Sequence, residues 1–252
     1  MIDVINLQQQ NFKEIMEEMP SVYGWDILED NGLLALKAPA SIPLVNFVWG
    51  IPTENNIEQI KLFFGEHEYY WILTTEQKDR LIPQNSIVFP SPTAFPEMVL
   101  EIDLYHKPVL SPNIDVIMAS TDSELQLWTD TAIATFGFNE TGFKEFFYPL
   151  IKVAKCAPFL IFYNNEPVAT SLAYCGKNIM GIYAMSTKPD FRRKGLGSAA
   201  VHACITLAIR KNIKHAILYA SELGQPLYNK LGFKVVQTLH EYHFTHSNGR
   251  QS

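Results

Sequence analysis

Between residues 179 and 233 the chain passes through an apolar strand, a basic glycine turn, a helix, a second strand and the segment Leu227-Tyr228-Asn229-Lys230-Leu231-Gly232-Phe233. The turn, Phe191-Arg192-Arg193-Lys194-Gly195-Leu196-Gly197-Ser198, constrains the fold most because it fixes a strand-to-helix junction. Upstream, Ile179 to Ser186 is a short apolar run with aromatic and branched residues, a buried strand by pattern, which Pro189 stops. Downstream, Leu196 to Arg210 places Leu196, Ala200, Ala203 and Leu207 at three- or four-residue spacing, the period of a helix with one buried face.

A helix start carries unbonded N–H groups and the positive end of the dipole, and glycines let an anion approach without a Cβ in the way. Arg192, Arg193 and Lys194 add charge and donors, and a pyrophosphate is the anion that fits. The bland alternative is a solvated basic loop before an ordinary helix. A Walker P-loop is excluded, since no Gly-x-x-x-x-Gly-Lys-Ser/Thr run exists. Gly195-Leu196-Gly197-Ser198-Ala199-Ala200 does satisfy the dinucleotide pattern G-x-G-x-x-A, with Glu222 as the ribose acid. Against that reading, Ser186 to Lys194 separate the glycines from their strand, and too little chain follows for a dinucleotide domain.

Pro189 to Ser198 resembles the Arg/Gln-x-x-Gly-x-Gly/Ala signature of the GNAT family of N-acetyltransferases, and Leu227 to Phe233 resembles that family's second hallmark. The resemblance covers about Ile114 to Phe244 and is sharpest from Gly181 to Phe233. It implies an α/β (α+β) fold with a mixed, mostly antiparallel sheet flanked by helices, and acetyl-CoA as cosubstrate. In the family the strand before the turn pairs with the pantetheine arm, which implies Met185, Ser186 and Thr187 here. Arg192, Arg193, Lys194, Gly195, Leu196, Gly197 and Ser198 would wrap the pyrophosphate. Tyr228 would protonate the departing thiolate; its alternative is a buried core tyrosine. Two departures stand out: Ser221 occupies the position where relatives often have a cofactor-holding asparagine, and the strand Asn178 to Ser186 lacks the carboxylate that many relatives use as general base.

An attacking amine must be neutral, and an alkylamine is protonated at pH 7, so the chemistry needs a base somewhere. Glu140, in Gly137-Phe138-Asn139-Glu140-Thr141-Gly142, is the candidate, because the family places its acceptor loop there; a solvated loop or cap carboxylate is the alternative. Tyr183 is a weaker candidate. The resemblance thus reads as acetyl transfer to a primary amine, small molecule or peptide, the alternative being an acyl-CoA-binding sensor without turnover.

Other constellations carry less. His240, His243 and His246 recur every third residue in an alternating segment, so His243 points away from the other two and no metal is expected. His202 reads as a partly exposed helix residue. Cys156, Cys175 and Cys204 lack metal-ligand spacing and fit a reducing compartment as inert thiols. A formal net charge of −6 argues against nucleic-acid partners. The N-terminus lacks a basic, apolar leader and no segment approaches a membrane span, so a cytoplasmic location is expected.

At 252 residues and 47% apolar, the chain exceeds one transferase domain. Residues 111–252 read as the acetyltransferase domain: helices Ser123–Thr135 and Thr141–Val153, strands Pro158–Tyr163, Pro167–Cys175 and Asn178–Ser186, the helix from Leu196, strand Ala216–Ala220, helix Gln225–Leu231 and strand Phe233–Phe244. Residues 1–110 read as a degenerate second copy, making a tandem, or as a cap narrowing the acceptor cleft. They show a helix over residues 11–20, strands at Leu33–Leu36, Leu44–Val48, Tyr69–Leu73 and Met98–Leu104, and a helix at Asn55–Gly65. No second basic glycine turn precedes residue 190, so if this half is a second copy it is expected to have lost the cofactor. Pro108 to Pro112 is the expected linker.

Overall fold

The computed structural model describes residues 7–18, 26–30, 32–38, 46–51, 54–81, 89–136, 144, 147–148 and 150–245. In chain order these form α1 (Leu7–Glu18), β1 (Asp26–Asp30), β2 (Leu33–Lys37), β3 (Phe47–Trp49), α2 (Glu54–Phe64), β4 (Tyr69–Thr74), α3 (Thr75–Leu81), β5 (Thr93–Glu101), β6 (Ile114–Met118) and α4 (Asp122–Phe136). Then come β7 (Cys156–Tyr163), β8 (Glu166–Cys175), β9 (Ile179–Thr187), α5 (Leu196–Arg210), β10 (His215–Tyr219), α6 (Gln225–Lys230) and β11 (Lys234–Phe244).

The chain divides into two compact units: residues 1–18 with 97–236, and residues 19–96 with 237–252. This grouping follows contact rather than chain order, so α1 and residues 97–110 join the C-terminal half, and Pro108 to Pro112 lies inside the first unit.

In the first unit β6, β7, β8 and β9 run antiparallel in succession. β9 then pairs parallel with β10 across α5, and β10 pairs antiparallel with the Glu97–Glu101 stretch of β5. The sheet is therefore mixed and mostly antiparallel. α5 fills one face: Leu196, Ala199, Ala200, Val201, Cys204, Ile205 and Ala208 are buried against Met98, Leu100, Ala173, Met180, Ile182, Ala216 and Leu218. The buried stripe is rotated from the one expected, with Ala203 and Leu207 only partly covered, because small residues let the helix approach on the Ala199/Ala200 side. On the other face lies α1: Tyr174 donates to Glu18 Oε1 at 3.1 Å and Tyr183 to Asn11 Oδ1 at 2.7 Å. Lys155 completes the Glu18 contact as an ion pair.

The second unit orders β1, β2, β3, β4 and β11, all antiparallel except β3 with β4, which α2 connects. Ile60 and Phe64 of α2 pack on Leu33, Ala35, Val48, Trp71, Leu73 and Tyr242. A reciprocal cap opens α3, with Thr74 N–H donating to Gln77 Oε1 and Gln77 N–H to Thr74 Oγ1.

Candidate active site

The centre of the site is where β9 and β10 part. Their parallel pairing runs from Ile179 with His215 to Gly181 with Ile217 and goes no further. β9 bulges just beyond: Ala184 adopts φ 47°, and the β8–β9 register shifts between Thr170 and Leu172. Thr170 holds the bulge by donating to Ala184 O at 3.0 Å and meeting Ser186 Oγ at 2.6 Å. A bulge bends its strand and re-aims the groups after it. The edge of β9 facing β10, which includes Met185, Ser186 and Thr187, is thereby left without a strand partner among the described residues. With Thr170 donating to Ala184 O, the Ser186 hydroxyl gives its proton to Thr170 Oγ1 and has no donor left for a ligand.

The turn that follows is built for close approach. Arg193 (φ 66°) and Gly195 (φ 87°) are both left-handed; for arginine this costs roughly 1 kcal/mol, a strain typical of functional turns. The first bond of the α5 ladder is Ala199 N–H to Gly195 O, so the N–H groups of Leu196, Gly197 and Ser198 lie ahead of it with the dipole's positive end. A Cβ at Gly197 would meet Leu227 Cδ2 at 2.8 Å. Leu196 itself is buried as the anchor of the helix. Arg192 donates through Nε to Thr187 O at 3.3 Å, and Lys194 lies over the rings of Tyr163 and Phe191 at 5.0 and 4.9 Å. Among the described residues Arg193 has no ion-pair partner. The residues present fit an anionic phosphate ligand of the coenzyme A kind.

Tyr228 stands on α6, 6% exposed, its ring edge-on to Phe233 at 5.9 Å. Gly224 makes room for that ring, since a Cβ there would come within 2.9 Å of it. The Tyr228 hydroxyl makes no hydrogen bond among the described residues, and burial, with Cys204 nearby, pushes it up to about 12. It therefore holds its proton across the neutral range. Gly232 (φ 103°) ends α6 with a Cβ-free approach to Leu104 O, which explains the Leu-Gly-Phe ending. Ser221 Oγ accepts from Gly224 N–H at 3.2 Å, closing the turn into α6.

Glu140 lies outside the described residues, as does His246. His240 meets Thr75 Oγ1 at 2.9 Å, whereas His243 meets Glu68 at 3.0 Å on the other side of β11. Among the described residues no group of three His, Cys, Asp or Glu side chains is placed to hold a metal, and no helix is long and apolar enough to cross a membrane. Burial pushes the Cys156 and Cys204 thiols up to about 12. Sequence reasoning passed over Asn11 and Glu97, both buried polar residues of the first unit; the only signal for Glu97 was a carboxylate inside an apolar run.

This arrangement, a split parallel pair at the start of a basic-turned helix within a mixed, mostly antiparallel sheet, defines the α+β fold of the first unit. Residues 124–233 match the Acetyltransferase (GNAT) family, and the chain carries a domain of that family there. Its fold is similar to a GCN5-related N-acetyltransferase from Kribbella flavida (TM-score 0.70, 15% identity, 93% of this chain and 94% of that one). It is also similar to one from Sphaerobacter thermophilus (TM-score 0.65, 12% identity, 94% and 88%). A tandem GNAT protein from the clavulanic acid biosynthesis pathway is similar at TM-score 0.61, 8% identity, 87% and 79%. No curated protein matches the chain.

Proposed function

We propose that the protein is an N-acetyltransferase that moves an acetyl group from acetyl-CoA to a primary amine, small molecule or peptide, by direct attack. The observation that carries this is the parting of β9 and β10 after Gly181 and Ile217, at the foot of α5 and in the same unit as Tyr228. In this reading the open edge at Met185 to Thr187 holds the pantetheine arm. The N–H groups of Leu196 to Ser198, with the Arg192, Arg193 and Lys194 charges, hold the pyrophosphate. The Tyr228 hydroxyl gives its proton to the leaving thiolate.

Calorimetric titration with acetyl-CoA tests the binding half. Micromolar affinity in the wild type, lost in an Arg193→Ala, Gly195→Asp double variant, is the expected result. Tyr228→Phe tests the chemistry: turnover should fall about 10- to 100-fold with acetyl-CoA affinity unchanged. Because Tyr228 keeps its proton to about pH 12, the wild-type rate should show no fall with rising pH below about pH 11. A wild type that binds acetyl-CoA yet acetylates no amine would point instead to a sensor.

A further inference from the structure

Val99, Ile179 and Ile217 form a small buried cluster separate from the α5 core. Two residues along from each, on the same face by strand alternation, stand Glu97, Gly181 and Tyr219. Glu97 and Tyr219 are direct cross-strand neighbours. Tyr183, the next position of β9 on this face, lies just past the last β9–β10 pair. Glu97 therefore sits in the row where the two strands part. It is 1% exposed, in a strand whose next three residues, Met98, Val99 and Leu100, are apolar and buried. Carboxyl groups are among the side chains least often fully buried, because taking an ionised one out of water is strongly unfavourable. Packing alone would be served by methionine or glutamine of the same length.

Tyr183, the other candidate for proton removal in this row, is unsuited to it. Burial first, then Cys156, Tyr174, Glu97 and Glu14, raise its pKa well above 10, and its proton is committed to Asn11 Oδ1.

We infer that Glu97 is the general base of the acetyl transfer, an inference that rests on the transferase reading above. The Glu97 carboxylate takes one proton from the acceptor's ammonium group through a single water, and the freed nitrogen lone pair forms the C–N bond at the thioester carbonyl carbon. The C–S bond breaks as the carbonyl re-forms, and the thiolate takes the Tyr228 proton. The second nitrogen proton leaves the new amide and restores Tyr228 through solvent. Ammonium and acetyl-CoA thus yield amide, coenzyme A thiol and one proton, which Glu97 passes to water.

The test compares wild type with Glu97→Gln and Glu97→Asp in thiol release over a panel of primary amines, with acetyl-CoA affinity measured by calorimetry. Glu97→Gln should lose about 100-fold in kcat at pH 7 while binding acetyl-CoA within twofold of wild type. Its rate should keep rising with pH toward the acceptor's own pKa where the wild type levels off. Glu97→Asp, which keeps a carboxylate, should retain the levelling profile at reduced kcat, and carries the test should the glutamine variant fail to fold. Wild-type kcat and pH profile in Glu97→Gln, or loss of the levelling in a folded Glu97→Asp, would overturn the base assignment and leave the transferase standing. A wild type that binds acetyl-CoA but acetylates nothing would overturn both.

Discussion

Glu241 illustrates how one side chain can set a pH dependence. It stands in β11 opposite Ile72, and burial pushes its carboxyl from 4.5 up to about 7. Tyr70 beside it is raised by burial first, then by Glu241 and Glu68. The folded protein therefore binds the Glu241 proton more tightly than the unfolded chain. Below the unfolded pKa both states are protonated and the contribution is intact; as pH rises toward 7 the unfolded chain ionises first and stability declines. The full loss is about 3 kcal/mol at most. Glu241→Gln should remove that decline: in urea melts it should match wild type at pH 4 and exceed it at pH 8 by up to about 2–3 kcal/mol. An unchanged difference between the two pH values would sink the argument. The same residue scale decides what a sequence can reveal. Gly195 announces a left-handed position by its type, whereas Ala184, left-handed at the bulge, announces nothing.

Gly181 links two elements that are far apart in the chain. A Cβ there would run into Asn11 Oδ1 of α1 and the ring of Tyr183, so the glycine is what lets α1 lie against β9. Gly181→Ala should destabilise by about 1–3 kcal/mol and loosen the Tyr183 to Asn11 hydrogen bond, read as a lower urea midpoint; an unchanged midpoint would contradict the close seating of α1. Elements with their own pattern were legible. β9, α5, β10 and α6 fall where the periodicity and the glycine turns place them, because the turn's charge and glycines sit side by side in sequence. β6 was missed because its exposure alternates weakly around Asp115, and α3 because Thr-Glu-Gln-Lys-Asp-Arg-Leu carries no apolar stripe. β5 begins at Thr93 rather than Met98, and Ile102–Leu104, expected as strand, is a 3-10 turn. The placing of Glu97 beside Tyr219 could not be read, since the two are brought together only by strand pairing across more than a hundred residues.

At the scale of the molecule, each unit takes a strand from the other half of the chain. β10 is flanked by β5, from residues 97–101, and β4 by β11, from residues near the C-terminus. Each flanking strand lies beside a parallel strand-helix-strand crossover, β9-α5-β10 in one unit and β3-α2-β4 in the other, but only the first has a basic glycine turn at the helix start. At the corresponding place in the second unit Gly50 packs against the backbone of Gly32 and Leu33. Residues 111–252 contain every part of the proposed phosphate site, yet they lack β5 and α1. Met98, Leu100 and Ile102 are missing from the core with them, at about 1.5–3 kcal/mol each, a sum that rivals the 5–15 kcal/mol stability of a typical domain. The exposed edge of β10 and the uncovered β9 face add to that loss. Residues 111–252 expressed alone should accordingly melt without a cooperative transition and bind no acetyl-CoA, whereas the whole chain should melt cooperatively and, on the transferase reading, bind acetyl-CoA. Extending the fragment upstream to Thr93 should recover part of the transition, because it returns the three core residues and the partner of β10. A sharp, reversible transition in the shorter fragment would mean that β5 and α1 are dispensable to the fold, and that the unit is closed by chain order rather than by the strand it borrows.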